Sequence, residues 1–355
     1  MSATSVSPRA EVYRTWRQYL ESKHGLYRSN NQLPSPLWST AEQAEFVVYD
    51  PALSFVPDSA STDVLSIEPI SPDSQAYKIV TRFSRPGQAG PGGCSDTMMT
   101  LTTFATRGRD GWRLAGALSR LTESWRQESV GAITFVVDPT LTFNPDRAKR
   151  AAAFIDSTAA LLGVGSPPPL SYYVASSFDV VCEIQGIRRV RQFGPVGGIS
   201  APWNRQVFSG NPAIGEGYFH ELAHALVYPL NKGASTMFAV EGVATWLGGT
   251  AGQDFLSLKG QLAKHLEAHP ASTLDSLMSG PYPVELEGGG SAEYVAGAVL
   301  SEMVFERAGT AGLRVLLGAT TSVQLRSELE KALAQSWDSI QSDWRLRLIK
   351  TGLGG

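Results

Sequence analysis

Residues 217–228 read GYFHELAHALVY, and residues 239–246, a little further on, read AVEGVATW. The first stretch contains His220-Glu221-Leu222-Ala223-His224, an HExxH pattern. On an α-helix, residues four apart stand one above the other on the same face. Two imidazoles spaced in this way can reach one metal ion at about 2.0–2.1 Å each. Glu221 sits beside the first histidine, where its carboxylate can serve a water molecule at the ion instead of the ion itself. Leu222, Ala223, Ala225 and Leu226 favour a helix, and the nearest prolines, Pro212 and Pro229, fall outside the motif.

A catalytic zinc takes three protein ligands and keeps a further position open. The extended pattern HExxHxxGxxH would need Gly at 227 and His at 230, but the chain has Val227 and Leu230. Glu241 is the candidate third ligand. It follows a loop at residues 231–235 and lies in a second predicted helix, among Phe238, Ala239, Val240, Val243 and Ala244. An antiparallel helix pair would bring it against the first helix. A carboxylate in such apolar company requires a partner, because an unpaired buried charge is costly.

The whole chain sets the frame for this site. Its 355 residues suggest two domains. With 43% apolar and 18% charged residues the composition is globular. The formal net charge is −3 and no long Lys/Arg run occurs, so nucleic acid and anionic membranes have no electrostatic support as partners. No stretch reads as a transmembrane segment, and Met1–Ala10 has neither the basic nor the apolar region of a signal peptide. Cys94 and Cys182 lie far apart and outside any CxxC spacing. They read as two separate half-buried thiols, or as one disulfide in an oxidising compartment. His265 and His269 are also four apart, but Leu266 follows the first and Pro270 the second, which suits a surface pair near a helix end; His24 reads as solvated.

Periodicity predicts a helix over 11–22, with Val12, Trp16, Tyr19 and Leu20 on one face, then short strands at 45–49, 64–67 and 77–83. The segment 84–95 reads as a flexible loop. A hairpin follows, 97–106 returning through 112–118, with Asp110-Gly111 suited to its turn. The polar stretch 122–129 marks a domain boundary. Beyond it come a strand at 132–137, a helix opened by Asn144-Pro145 and closed by Gly163, a strand at 170–174, an amphipathic stretch at 178–184 and an extended segment at 198–209. Helices at 291–309 and 325–348 finish the chain. The fold class is therefore α+β: a small N-terminal α+β domain with a curved antiparallel sheet (1–128), then a domain with a mixed sheet, the HExxH helix and a helical C-terminal part (129–355).

HELAH followed by VEGVATW resembles the gluzincin superfamily, the zinc metallopeptidases related to thermolysin and the aminopeptidases. The resemblance covers roughly residues 130 to 350 and is specific in those two motifs. It implies a zincin-like second domain, one Zn2+ per chain held by His220, His224 and Glu241, and Glu221 as general base for hydrolysis of peptide bonds in a peptide or protein substrate. On the same basis Tyr294, in the predicted helix 291–309, is the candidate donor to the oxyanion, and an edge strand within 198–209 is expected to line the cleft. It also suggests an exported bacterial protein. One departure stands out: where thermolysin-like enzymes carry an acidic residue four past the glutamate ligand, which supports a zinc-bound histidine, this chain has Thr245. The helix-then-sheet order and the DGWRL hairpin of the first domain resemble the cone fold of nuclear transport factor and the polyketide cyclases, with a cystatin-like α+β domain as the alternative. A second functional reading is a catalytically silent zincin fold whose N-terminal domain binds a ligand or partner.

Overall fold

A computed structural model of the chain describes residues 7–23, 36–39, 61–73, 75–84, 97–167, 169–189, 197–230, 235–279 and 284–352. In chain order the elements are α1 (Pro8–Lys23), β1 (Ser61–Pro69), β2 (Ala76–Ser84), β3 (Thr97–Gly108), β4 (Gly111–Ala115), α2 (Leu118–Leu121), β5 (Arg126–Val130), β6 (Ile133–Val137), α3 (Pro145–Leu162), β7 (Leu170–Val174), α4 (Phe178–Ile184) and β8 (Ile187–Arg189). Then follow β9 (Gly198–Ala201), β10 (Gln206–Ser209), α5 (Phe219–Val227), α6 (Met237–Gly248), α7 (Phe255–Ala268), α8 (Leu274–Ser279), α9 (Ala292–Leu317), α10 (Ser322–Leu333) and α11 (Trp337–Gly352). The fold is α+β, with one antiparallel sheet, one mixed sheet and a helical C-terminal part. None of the helices among the described residues is long and apolar enough to cross a membrane.

The chain forms two compact units, the first comprising Met1–Trp125 and Ser176–Val196. Its five-stranded sheet runs β1-β2-β3-β4, with β8 also paired to β3, and every pairing is antiparallel. The predicted hairpin is β3–β4, and Gly111 turns it with φ 107. The predicted face of α1, Val12, Trp16, Tyr19 and Leu20, is buried in one core with Ile79, Phe83 and Leu114 of the sheet. The Trp16 indole donates to Thr81 Oγ1 at 2.8 Å, and the Trp112 indole to the Glu11 carboxylate at 3.0 Å. Both large rings are thus buried with their one donor satisfied.

The single boundary expected at 128/129 needs correction, because residues 176–196 return to the first unit. There β8 pairs with β3, Leu101 opposite Ile187, and Ile187 joins the first unit's core. An apolar run this short carries no mark of which core it will enter. The expected strand at 45–49, His24, and Cys94 with the Cys94–Cys182 alternative lie outside the described residues.

The second unit, Arg126–Ala175 with Gly197–Gly355, holds a mixed sheet ordered β5-β6-β7-β10-β9. β6, β7 and β10 run parallel, while β5 and β9 are antiparallel edges. Helix α3 forms the crossover between β6 and β7. The Asn144 side chain accepts from the amides of Asp146 and Arg147, Pro145 opens the helix, and Gly163 ends it in the left-handed region at φ 61. Residues 198–209, expected as one extended segment, are a β9–β10 hairpin instead. Pro202 starts a short 3-10 turn, and Arg205 reverses the chain at φ 54. The helix expected over 291–309 continues to Leu317, with a break in helical geometry at Gly309 (φ 58, ψ −153). The core gathers Phe135, Ile155, Tyr172 and Val207 around the sheet with Leu222, Val243, Val295 and Val299 from the helices that carry the site.

Candidate metal centre

Helix α5 carries HExxH. Its start has no side-chain cap; instead the chain entering it is held from the sheet. The Tyr218 amide donates to the Tyr172 hydroxyl at 3.0 Å, and that hydroxyl donates to the Gly215 carbonyl at 2.7 Å. Phe219 stacks on Phe154 of α3 at 4.9 Å, and Leu222 and Leu226 are buried in the core. With these contacts fixing the helix roll, His220, Glu221 and His224 are all buried, and the two histidines reach Glu241 of the next helix.

Helix α6 supplies Glu241 and packs between α5 and α9. Its contact with α9 is backbone on backbone. A Cβ at Gly242 would stand 2.5 Å from the Gly297 carbonyl carbon, and one at Gly297 would stand 2.5 Å from the Phe238 carbonyl oxygen. Two facing glycines thus draw α6 and α9 close together, with Glu241 at the Nε2 edge of His220 and Tyr294 parallel to its ring.

Three ligand-type atoms converge. His220 Nε2 lies 3.0 Å from Glu241 Oε2, His224 Nε2 lies 3.2 Å from His220 Nε2, and His224 Nε2 lies 3.5 Å from Glu241 Oε2. Ligands at about 2.0–2.1 Å in tetrahedral array stand about 3.3 Å from one another, which is the spacing seen. His220 Nδ1 faces the Gly249 carbonyl at 2.7 Å and donates to it, so the neutral ring turns the Nε2 lone pair toward the other two atoms. Three buried lone pairs directed at one point repel unless a cation, a proton or a metal ion, lies among them. His220, His224 and Glu241 therefore form a buried group that can hold a metal ion.

Without a metal, protons do this work. Burial opposes a charged His220, but the hydrogen bond and charge of Glu241 outweigh it and lift the imidazole from 6.5 to about 9. Burial likewise opposes an ionised Glu241, and the two histidines outweigh it, His224 by its charge foremost, holding the carboxyl well below the usual range.

Glu221, one residue from the first histidine, is buried, and its charge is felt at Tyr218, His220 and Tyr294. Tyr294 is half-buried, its ring parallel to that of His220 (3°, centroids 6.1 Å apart). Burial, then the charges of Glu241 and Glu221, push its hydroxyl well above the ordinary phenol range, so it stays a donor. Thr245, where the resemblance expects an acid, is fully buried, and its Oγ1 has no hydrogen-bond partner among the described residues. The partner of His220 is a main-chain carbonyl at 249, which sequence reasoning missed; the only available signal was the Gly248-Gly249 pair after the glutamate helix. His265 and His269 stack on each other at 4.3 Å with His269 exposed. Among the described residues only His220, His224 and Glu241 converge as a metal-binding group. No family model matches the chain, and no curated protein matches it either.

Proposed function

We propose that this protein is a zinc-dependent peptidase of the gluzincin type, hydrolysing peptide bonds in a peptide or protein substrate. The reading is carried by one observation: a buried His–His–Glu trio at tetrahedral spacing with a fourth buried residue, Glu221, adjoining it on the same helix. A metal site that only braced the fold would have no use for that extra carboxylate.

His220, His224 and Glu241 would hold the ion, two neutral imidazoles and one carboxylate leaving it a net positive charge. When bound, zinc supplies acidification of water toward neutral pH and polarisation of the scissile carbonyl. Glu221 accepts the proton from the attacking water and passes it to the leaving amine nitrogen as the C–N bond breaks. Tyr294 donates its hydroxyl proton in a hydrogen bond to the carbonyl oxygen as negative charge grows there. Strand β9 is an edge of the second unit's sheet and packs on α5, so its outer backbone groups can pair with an extended substrate and hold it in register.

The test is cleavage of a mixed peptide library by the full chain, with and without chelator, beside Glu221→Gln. Chelator-sensitive cleavage that falls by about 10²–10⁴ in the variant, with zinc retained, is the expected result. Equal cleavage by variant and parent would remove Glu221 as the base. A zinc-loaded protein that cleaves nothing in the library would favour the silent binding protein.

A further inference from the structure

We infer that the turn after α6, residues 248–252, is the orienting device of the metal centre, with the Gly249 carbonyl fixing both the tautomer and the ring angle of His220. The inference rests on the reading above that His220, His224 and Glu241 hold a metal ion.

The turn is built for this contact. The Gly249 amide still closes the helix, donating to the Thr245 carbonyl at 2.9 Å. Its φ of 70 and ψ of −160 then rotate the next peptide plane out of the helix, and the freed carbonyl meets His220 Nδ1 at 2.7 Å. That backbone region belongs essentially to glycine. A Cβ at 249 would also collide with the Gln253 carbonyl oxygen, and one at 248 with the backbone of Phe219 and His220.

The rest of the turn braces the same place. Thr250 and Gln253 exchange backbone hydrogen bonds of 3.1 and 2.9 Å. Ala251, at a positive φ of 52, brings its backbone N–H near enough to the Tyr218 hydroxyl to favour the ionised phenol slightly. Backbone atoms of one short turn thus meet Tyr218, Phe219 and His220, the entry to the motif helix. Thr245, the side chain one helical turn earlier, is fully buried and makes no hydrogen bond through Oγ1 among the described residues. A main-chain carbonyl braced in this way cannot swing aside as a carboxylate can, and it adds no charge to the site.

The experiment compares Gly249→Ala and Thr245→Val with the parent chain. It measures zinc affinity by chelator competition and the histidine ring N–H signals by NMR, the His220 signal being identified by its loss in His220→Ala. The parent should show a slowly exchanging, hydrogen-bonded Nδ1–H for His220. Gly249→Ala should lose that signal and bind zinc about 10–100-fold more weakly, while Thr245→Val keeps both. Parent-like zinc affinity with an unchanged ring signal in Gly249→Ala overturns the inference, as does loss of the signal in Thr245→Val. If Gly249→Ala does not fold, the parent spectrum decides: Nδ1 protonation supports the inference, and Nε2 protonation of the zinc-loaded ring overturns it. A parent chain that takes up no zinc sinks the metal reading itself, and is recognised as such because no variant is needed to see it.

Discussion

At the residue scale the site is a contest between burial and pairing. His220 and Glu241 are each disfavoured as ions by burial, yet each stabilises the other's charge. The sign of the pH dependence follows. His220 has its folded value raised from 6.5 to about 9, so its contribution to stability is complete below pH 6.5 and vanishes as pH rises through 9. Glu241 has its folded value lowered from 4.5, so its contribution is present above that pH and vanishes as pH falls through the lower, folded value. Urea unfolding in the presence of chelator should therefore find less stability at pH 9 than at pH 6, and adding zinc should shrink that difference. Zinc binding near pH 7.5 should release about one proton, read by calorimetry in buffers of different ionisation enthalpy. Zinc uptake with no proton release would show that His220 is not the protonated partner of Glu241. All three members of the buried group were legible in the sequence, the histidines from their spacing and Glu241 from its apolar company and the resemblance. The Gly249 carbonyl was not, because a main-chain oxygen leaves no residue-type signature of its own.

At the scale of elements, the site depends on how closely helices can approach. Gly242 and Gly297 let the α6 and α9 backbones touch, and no side chain fits between them. Gly242→Ala should push the pair apart and destabilise the fold by about 1–3 kcal/mol, the usual effect of overpacking, measured by urea unfolding. Its zinc affinity should fall as well, because Glu241 moves with its helix. A variant of unchanged stability and affinity would mean that the helices can slide without penalty. The sequence announced most elements through local chemistry: Asn144-Pro145 opening α3, Gly163 closing it, Gly111 turning the β3–β4 hairpin. It did not announce the β9–β10 reversal. There the signal is Arg205 in the left-handed region at φ 54, a conformation that residue type does not predict for arginine.

At the scale of the whole molecule, the chain visits its two units in alternation, and a cut at 128 would divide the first of them. Residues 176–196 would then remain with the second unit while their pairing partner β3 was gone. The second unit offers a way round this. Val174 and Gly198 flank Ser209 from opposite sides in the sheet, so they stand about 10 Å apart, two strand spacings of roughly 4.8 Å. A short Gly/Ser linker spans that gap. A chain of residues 126–175 joined in this way to 197–352 should fold cooperatively and bind zinc as the full chain does, whereas residues 129–355 with 176–196 retained should be less stable and less soluble. Equal behaviour of the two, by circular dichroism and gel filtration, would mean that α4 and β8 need no partner.

On the proposed function, two imidazoles and one carboxylate from α5 and α6 bind a single ion. The most direct test is the zinc content of the full chain after zinc loading and gel filtration, compared with Glu241→Ala and His220→Ala. One zinc per chain, falling to near zero in both variants, is the predicted result. No zinc in the parent, or zinc retained equally in all three, would contradict it.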